Sequence, residues 1–283
     1  MSQTSRPDIY SRITGKIIAD LEQGVRPWMK PWSAKHAAGR ITKPLRHNGA
    51  PYKGINVVML WSASVAKGYA CPLWLTFKQA LELGGHVKKG EAGELVVYAD
   101  RITRTETDEK GEETAREIPF LKGYIVFNAE HCDGLPAHYT ALAEAPALSP
   151  VQRIDAADKF FAATGADIRH GGTRAYYAAG SDHVQMPPFE TFRDAESHAA
   201  TLAHELTHWT KHDSRLARDF GRVKWGDEGY AREELVAELG AAFLCADLGI
   251  TPEVRPDHAA YIASWLELCS PRHNSSNREV RIM

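Results

Sequence analysis

No stretch of this chain is apolar for long enough to cross a membrane. Its opening residues, MSQTSRPDIY, lack the apolar core of a secretory leader. Cysteine is scarce: Cys71, Cys132, Cys245 and Cys269 are scattered through 283 residues and none belongs to a C-x-x-C pair. These absences predict a cytoplasmic protein with reduced thiols and no membrane partner. Internal repeats are also missing. So is an overall excess of one charge, since 34 Lys and Arg nearly balance 36 Asp and Glu. That balance conceals a polarity. Residues 1–90 hold 14 Lys and Arg against 4 Asp and Glu, a net of +10, so the remainder carries −12. A basic front and an acidic rear predict two units with different partners.

The front opens with Ser5-Arg6-Pro7-Asp8, a helix start, after which Ile9, Ile13, Ile17 and Leu21 recur at helical spacing until Gly24. The Trp- and Pro-rich stretch Arg26–Trp32 cannot be a regular helix, and a basic loop follows it. Two further helices are predicted over Asn56–Lys67 and Thr76–Leu83. Glu94–Tyr98 and Gly123–Phe127 read as strands of a hairpin, with the charged stretch Asp108–Glu117 as its long mobile loop. Cys132–Pro150, rich in Ala and Pro, reads as a linker. Beyond it come a helix over Val151–Ala163 and a short strand at Asp167–Arg169. Tyr176-Tyr177 and His183–Met186 follow as a hairpin, with the segment around Ser181–Met186 as an edge strand. Helices are then predicted over Phe192–His212 and Tyr230–Leu248, and a last amphipathic segment over His258–Leu268. The expected fold class is α+β, with an N-terminal domain (1–131), a linker (132–150) and a C-terminal domain (151–283).

The most informative residues are His204-Glu205-Leu206-Thr207-His208, an instance of H-E-x-x-H within a predicted helix. Histidines four apart lie on one helix face, so both imidazoles can bind one metal ion, and Glu205 is placed to take a proton from metal-activated water. A catalytic zinc normally has three protein ligands and an open position. The next helix holds Glu233, Glu234 and Glu238 among apolar residues, where carboxylates are costly unless compensated. Glu234 is the expected third ligand and Glu238 the carboxylate behind one histidine; spacing alone leaves the reverse open. Zn2+ is the expected ion, with Mn2+ as the alternative. Tyr176, Tyr177 and His183 are candidates to steady an oxyanion. The expected activity is peptide hydrolysis of an unidentified protein substrate.

In the front, Arg26, Trp28, Lys30, Trp32 and Lys35 interleave cations with indoles, and Arg40, Lys43, Arg46 and Lys53 continue the basic loop. Cations that follow phosphates, beside aromatic faces that take bases, suit single-stranded DNA. Trp61 and Trp74, set among apolar neighbours, read as core.

The order of these motifs resembles the ArdC family of plasmid-encoded antirestriction proteins. RPWMKPW, YKGINVVML, WLTFKQALELGGHVKKGEAG and GYIVFNAEHCDGLP are similar to that family's N-terminal domain. YYAAGSDHVQMPPFETF, HELTHWT and YAREELVAELGAAFL are similar to its zincin-type metallopeptidase domain, and the resemblance covers about residues 5–268. It implies a small mixed N-terminal domain with a β-hairpin that binds single-stranded DNA. It also implies a gluzincin-like, helical C-terminal domain with a small sheet. His204 and His208 match the family's histidine ligands, Glu205 its catalytic glutamate, and the segment with Glu234 and Glu238 its third-ligand helix. The implied role is protection of incoming conjugative DNA from host restriction. The alternative is a DNA-binding protein whose metal is structural. The chain departs from the family after Leu268, where a polar tail, Arg272–Met283, replaces a further Ala-rich helix.

Overall fold

The computed structural model describes residues 9–23, 28, 42–107, 113–141, 150–221 and 228–250. Most of Arg26–Trp32, the hairpin tip 108–112, the segment 258–268 and the C-terminal tail lie outside the described residues.

The front is built round an unusually apolar helix. Helix α1 (Ile9–Glu22) carries the predicted stripe, with Ile13 and Leu21 buried and Ile17 packed beside them. Helix α2 (Ile55–Lys67) is apolar on every side, and Val57 to Ser64 are all buried, as expected of a helix at the centre of a core. A four-stranded sheet covers it, formed by β1 (Leu45–Arg46), β2 (Leu73–Thr76), β4 (Glu94–Thr107) and β5 (Glu113–Asn128) in the order β1-β2-β5-β4. Trp61 of α2 meets Trp74, Val96 and Val126 of the sheet. Helix α3 (Phe77–Glu82) starts at a capping box, with Thr76 accepting from the Gln79 amide and the Gln79 side chain accepting from the Thr76 amide.

Three expectations for the front are corrected. Trp28 is 1 % exposed, in the core with Leu21, Tyr52 and Trp61, so it cannot be a platform for bases. An indole buried here removes more apolar area from water than any smaller side chain in the loop could. The hairpin is also much longer than predicted. Strands β4 and β5 pair without a break from Glu94↔Val126 to Thr107↔Glu113, so residues 113–117 of the expected loop are strand. Charged residues do not stop a strand that need bury neither face, and the Thr-rich alternation here favours extension. Arg101 and Glu117 form a diagonal cross-strand ion pair at 2.8 Å. Finally, the expected linker begins too early. Strand β6 (Cys132–Asp133) pairs with β3 (His86–Val87), and helix α4 (Ala137–Ala141) buries Tyr139 against Cys71, Leu73 and Leu75.

The rear holds helices α5 (Pro150–Ala163), α6 (Ala195–Trp209) and α7 (Glu228–Leu248) against a three-stranded sheet. The strands are β7 (Asp167–His170), β8 (Tyr176–Ala178) and β9 (His183–Met186). The predicted β8–β9 hairpin is present, but β9 is the central strand, paired with β7 in parallel on its other side. It is therefore not the edge strand expected. Helix α6 is shorter than predicted because Asp194 caps it, accepting from the Ser197 amide at 2.7 Å, and the chain turns after Thr210. Cys71, Cys132 and Cys245 are buried and unbridged. No helix among the described residues is long and apolar enough to cross a membrane.

Helix α7 belongs to both cores. Ala231, Leu235, Leu239, Ala242 and Phe243 pack on the front, where the rings of Phe243 and Trp61 lie 5.7 Å apart. Cys245, Ala241, Leu244 and Leu248 pack on the rear. The approach of α7 to α6 is set by Gly240. A Cβ there would lie 2.4 Å from Thr207 Cγ2 and 2.9 Å from its Oγ1. Glycine within a helix costs about 1 kcal/mol relative to alanine, so its place here is explained by close packing. Gly240→Ala is expected to destabilise the protein by about 1–3 kcal/mol in urea unfolding. Adding Thr207→Ala should recover most of that loss. Unchanged stability in the single variant would contradict this contact.

Candidate metal centre

Helix α6 presents His204 and His208 one turn apart, both buried. Their Nε2 atoms are 3.2 Å from each other, with ring planes 80° apart. Across the interface, α7 brings Glu234 between them. Its Oε2 is 3.6 Å from His204 Nε2, and its Oε1 is 3.5 Å from His208 Nε2. These three residues form the candidate metal-ligating group found among the described residues. A tetrahedral ion with ligands at about 2.0–2.1 Å holds its ligand atoms about 3.3 Å apart. The Nε2–Nε2 spacing of 3.2 Å matches that edge length, and with one atom from each residue the His204, His208 and Glu234 ligand atoms all lie within 4.8 Å of one another, so the donor set suits a divalent ion.

The other ring nitrogens face carboxylates. His208 Nδ1 donates to Glu233 Oε1 at 3.1 Å, and His204 Nδ1 lies 3.5 Å from Glu238 Oε1. A proton held at Nδ1 leaves the Nε2 lone pair free for a cation, which is how an outer carboxylate fixes the useful tautomer. Glu238 lies at ion-pair distance from His204 Nδ1. Glu233, to which the sequence assigned no role, is the carboxylate hydrogen-bonded to His208 Nδ1.

Glu233 is itself gripped. Arg218 donates through Nε to Oε2 at 3.1 Å and through Nη2 to Oε1 at 2.9 Å, a two-pronged fork. The same guanidinium donates to Thr210 Oγ1 and to the Thr207 carbonyl, tying the turn after α6 to α7. Burial works to raise the Glu233 carboxyl, yet the bonds from His208 and Arg218 hold it below its ordinary range. Burial opposes ionisation of Glu234 too, but the bond to His204, the charges of both histidines and a hydrogen bond from Tyr230 hold it at about 2. Tyr230 stands one turn before Glu234 and was not singled out from sequence; the i, i+4 spacing was the available signal.

The remaining predicted residues divide clearly. Glu205 is 3 % exposed on the buried side of α6. The Tyr177 hydroxyl donates to Asp182 Oδ1 at 2.8 Å, while Tyr176 is exposed with its ring edge toward His183. His183 is buried, with Nδ1 2.8 Å from Ser181 Oγ. Lys43 is not open to DNA: it is 2.5 Å from Asp247 and lies over the Phe243 ring, joining front to α7. Arg46 and Lys53 are exposed. Arg26, Lys30, Trp32, Lys35 and Arg40 lie outside the described residues.

Residues 155–275 match the family model of a zincin-like metallopeptidase, the class that the paired helices and their histidines define. Residues 7–127 match the N-terminal domain of anti-restriction factor ArdC. The crystal structure of antirestriction ArdC protein from plasmid R388 aligns with TM-scores of 0.75 metal-free and 0.73 Mn(II)-bound. Identity is 48 % and 47 %, over 93 % of this chain and 89 % of that one in each case. An uncharacterized protein, y4eC, of Sinorhizobium fredii (strain NBRC 101917 / NGR234) is 44 % identical over 266 residues, covering 92 % of this chain and 84 % of that protein. DNA primase TraC of Escherichia coli is 36 % identical over 290 residues, covering 94 % of this chain but only 25 % of the primase. The chain belongs to the ArdC antirestriction family.

Arg218→Ala would strand the buried Glu233 carboxylate. It is expected to cost about 3–5 kcal/mol in urea unfolding of the metal-free protein, and Glu233→Gln in the same chain should recover part of it. A second prediction concerns acid. Asp182 is held at about 2, chiefly by the hydrogen bond from Arg215, with Tyr177 and the Arg215 charge adding to it against desolvation. Its folded pKa is depressed, so its contribution is complete above the ordinary carboxylate range and lost as pH falls from about 4 to about 2. Asp182→Asn should flatten the fall in melting temperature across that window; an unaltered profile would contradict the pairing.

Proposed function

We propose that this chain is an antirestriction protein whose rear is a metal-dependent peptidase and whose front binds single-stranded DNA. The observation that carries the peptidase reading is the convergence of Glu234 on the two histidines of the H-E-x-x-H helix, with the three ligand atoms within 4.8 Å of one another. A divalent ion held by His204, His208 and Glu234, Zn2+ or the Mn2+ recorded for the R388 relative, would supply Lewis acidity there. Glu205 acts as general base, taking a proton from the attacking water and passing it to the leaving amine. Glu233 and Glu238 keep both histidines in the tautomer that ligates, and Arg218 keeps Glu233 in place. The substrate is a protein, and the family's N-terminal domain supports nucleic acid as the partner of the front.

One observation favours a second reading. The helix that carries Glu234 also completes the front core, so an ion bound there would stiffen the whole fold without any turnover. Glu205→Gln separates the two readings. Under the peptidase reading it keeps metal at wild-type stoichiometry by elemental analysis and loses cleavage of casein, along with protection of an unmodified plasmid mated into a restricting host. Retained protection in that mating would instead establish the structural role.

A further inference from the structure

The long hairpin has two faces, and one of them changes character along its length. At its base, Val96 and Val126 point at α2 and pack with Trp61 and Trp74. The side chain of Asn56 then clamps Val97, donating to its carbonyl at 2.7 Å and accepting from its amide at 2.8 Å. Further out, the same alternation presents Tyr98, Phe120, Lys122 and Tyr124, related by the pairs Val96↔Tyr124, Tyr98↔Lys122 and Asp100↔Phe120. Tyr98 is 48 % exposed and Tyr124 38 %, a large aromatic area to leave in water.

Cations are interleaved with these rings. Lys122 Nζ lies 5.1 Å from the centre of the Tyr124 ring, and Tyr98 and Phe120 are 6.1 Å apart. Arg46, at the opposite edge of the sheet, falls on the same face through the pairs Arg46↔Trp74 and Trp74↔Asn128, and lies over the Tyr52 ring at 5.4 Å. Among the described residues neither Lys122 nor Arg46 makes an ion pair. Of the carboxylates in this row, Glu94 at the base is paired with Lys67, and Asp100 accepts from the Tyr98 hydroxyl on one oxygen and from the Arg101 amide on the other. Residues two apart on a strand are about 6.6 Å apart, and sheet-borne aromatics at that stride stack successive bases in RNA-recognition domains.

We propose that this outer hairpin face, Tyr98, Phe120, Lys122 and Tyr124 with Arg46 beside it, is where single-stranded DNA lies. The proposal rests on the DNA-binding reading above and places it on different residues from the Trp28 loop. The rings take bases without regard to sequence, and the two cations meet the phosphates. A peptide adding to the β4 edge would use backbone groups and leave this face unused.

The test is fluorescence anisotropy of labelled dT20 with the full chain across a salt series. Tyr98→Ala and Tyr124→Ala should each weaken binding about 5- to 100-fold, while Tyr98→Phe, which keeps the ring, stays near wild type. Lys122→Glu and Arg46→Glu should weaken binding and lower the salt slope by about 0.7 for each phosphate no longer neutralised. Melting temperatures show whether each variant folds; if the alanine variants do not, the two charge reversals at exposed positions decide. Tight wild-type binding that folded variants leave unchanged would overturn this surface and spare the DNA-binding reading. No wild-type binding would overturn both. A wild-type dimer in sedimentation that Tyr98→Ala dissociates would assign the face to a second copy and overturn the proposal.

Discussion

The approach of α6 to α7 is the constraint on which the centre depends. Glu234 of α7 reaches to 3.5–3.6 Å from the two histidine nitrogens of α6, so a displacement of either helix by an ångström or more would carry the carboxylate away from an ion held by the histidines. Small residues allow the contact: Ala199 and Ala203 are buried on α6, Ala237 is buried on α7, and Gly240 lies against Thr207. Arg218 adds a polar tie at the end of α6, holding the Thr207 carbonyl and Glu233 together. Packing thus sets the distance, and hydrogen bonds set the orientation of the rings within it.

Because α7 serves both cores, front and rear are one packed body along this helix and not two beads on a string. The face with Ala231, Leu235, Leu239 and Phe243 completes the front, while Glu233, Glu234 and Glu238 on its other faces meet the histidines. A shift of α7 relative to α2 would move Glu234 relative to α6. The charge polarity of the chain also closes on itself here, since Lys43 of the basic front is paired with Asp247 at the far end of α7.

Much of this was legible because it is local. The stripe of Ile13, Ile17 and Leu21, the helix that starts at Thr76, the β8–β9 hairpin and the spacing of His204 and His208 all follow from patterns within a few residues. The errors came where the competing terms are not local. Trp28 looked like a base platform because its neighbours in sequence are cationic, but its neighbours in space are Tyr52 and Trp61. The charged run 108–117 looked like a loop because strand pairing lends extension to residues that would not choose it alone. Strand β9 looked like an edge because nothing in a hairpin reveals a third strand beside it.

The sequence by itself determined that one helix would offer two imidazoles on one face with a glutamate between them, since 3.6 residues per turn leaves no other arrangement. It also determined that three carboxylates in an apolar helix would need compensation. Which carboxylate meets which nitrogen was decided only by tertiary structure. Glu233, Glu234 and Glu238 are chemically alike, and nothing distinguishes them until α7 is set at one rotation and height against α6. The contact of Gly240 with Thr207, the apolar face taken up by the front core and the fork of Arg218 together fix that rotation.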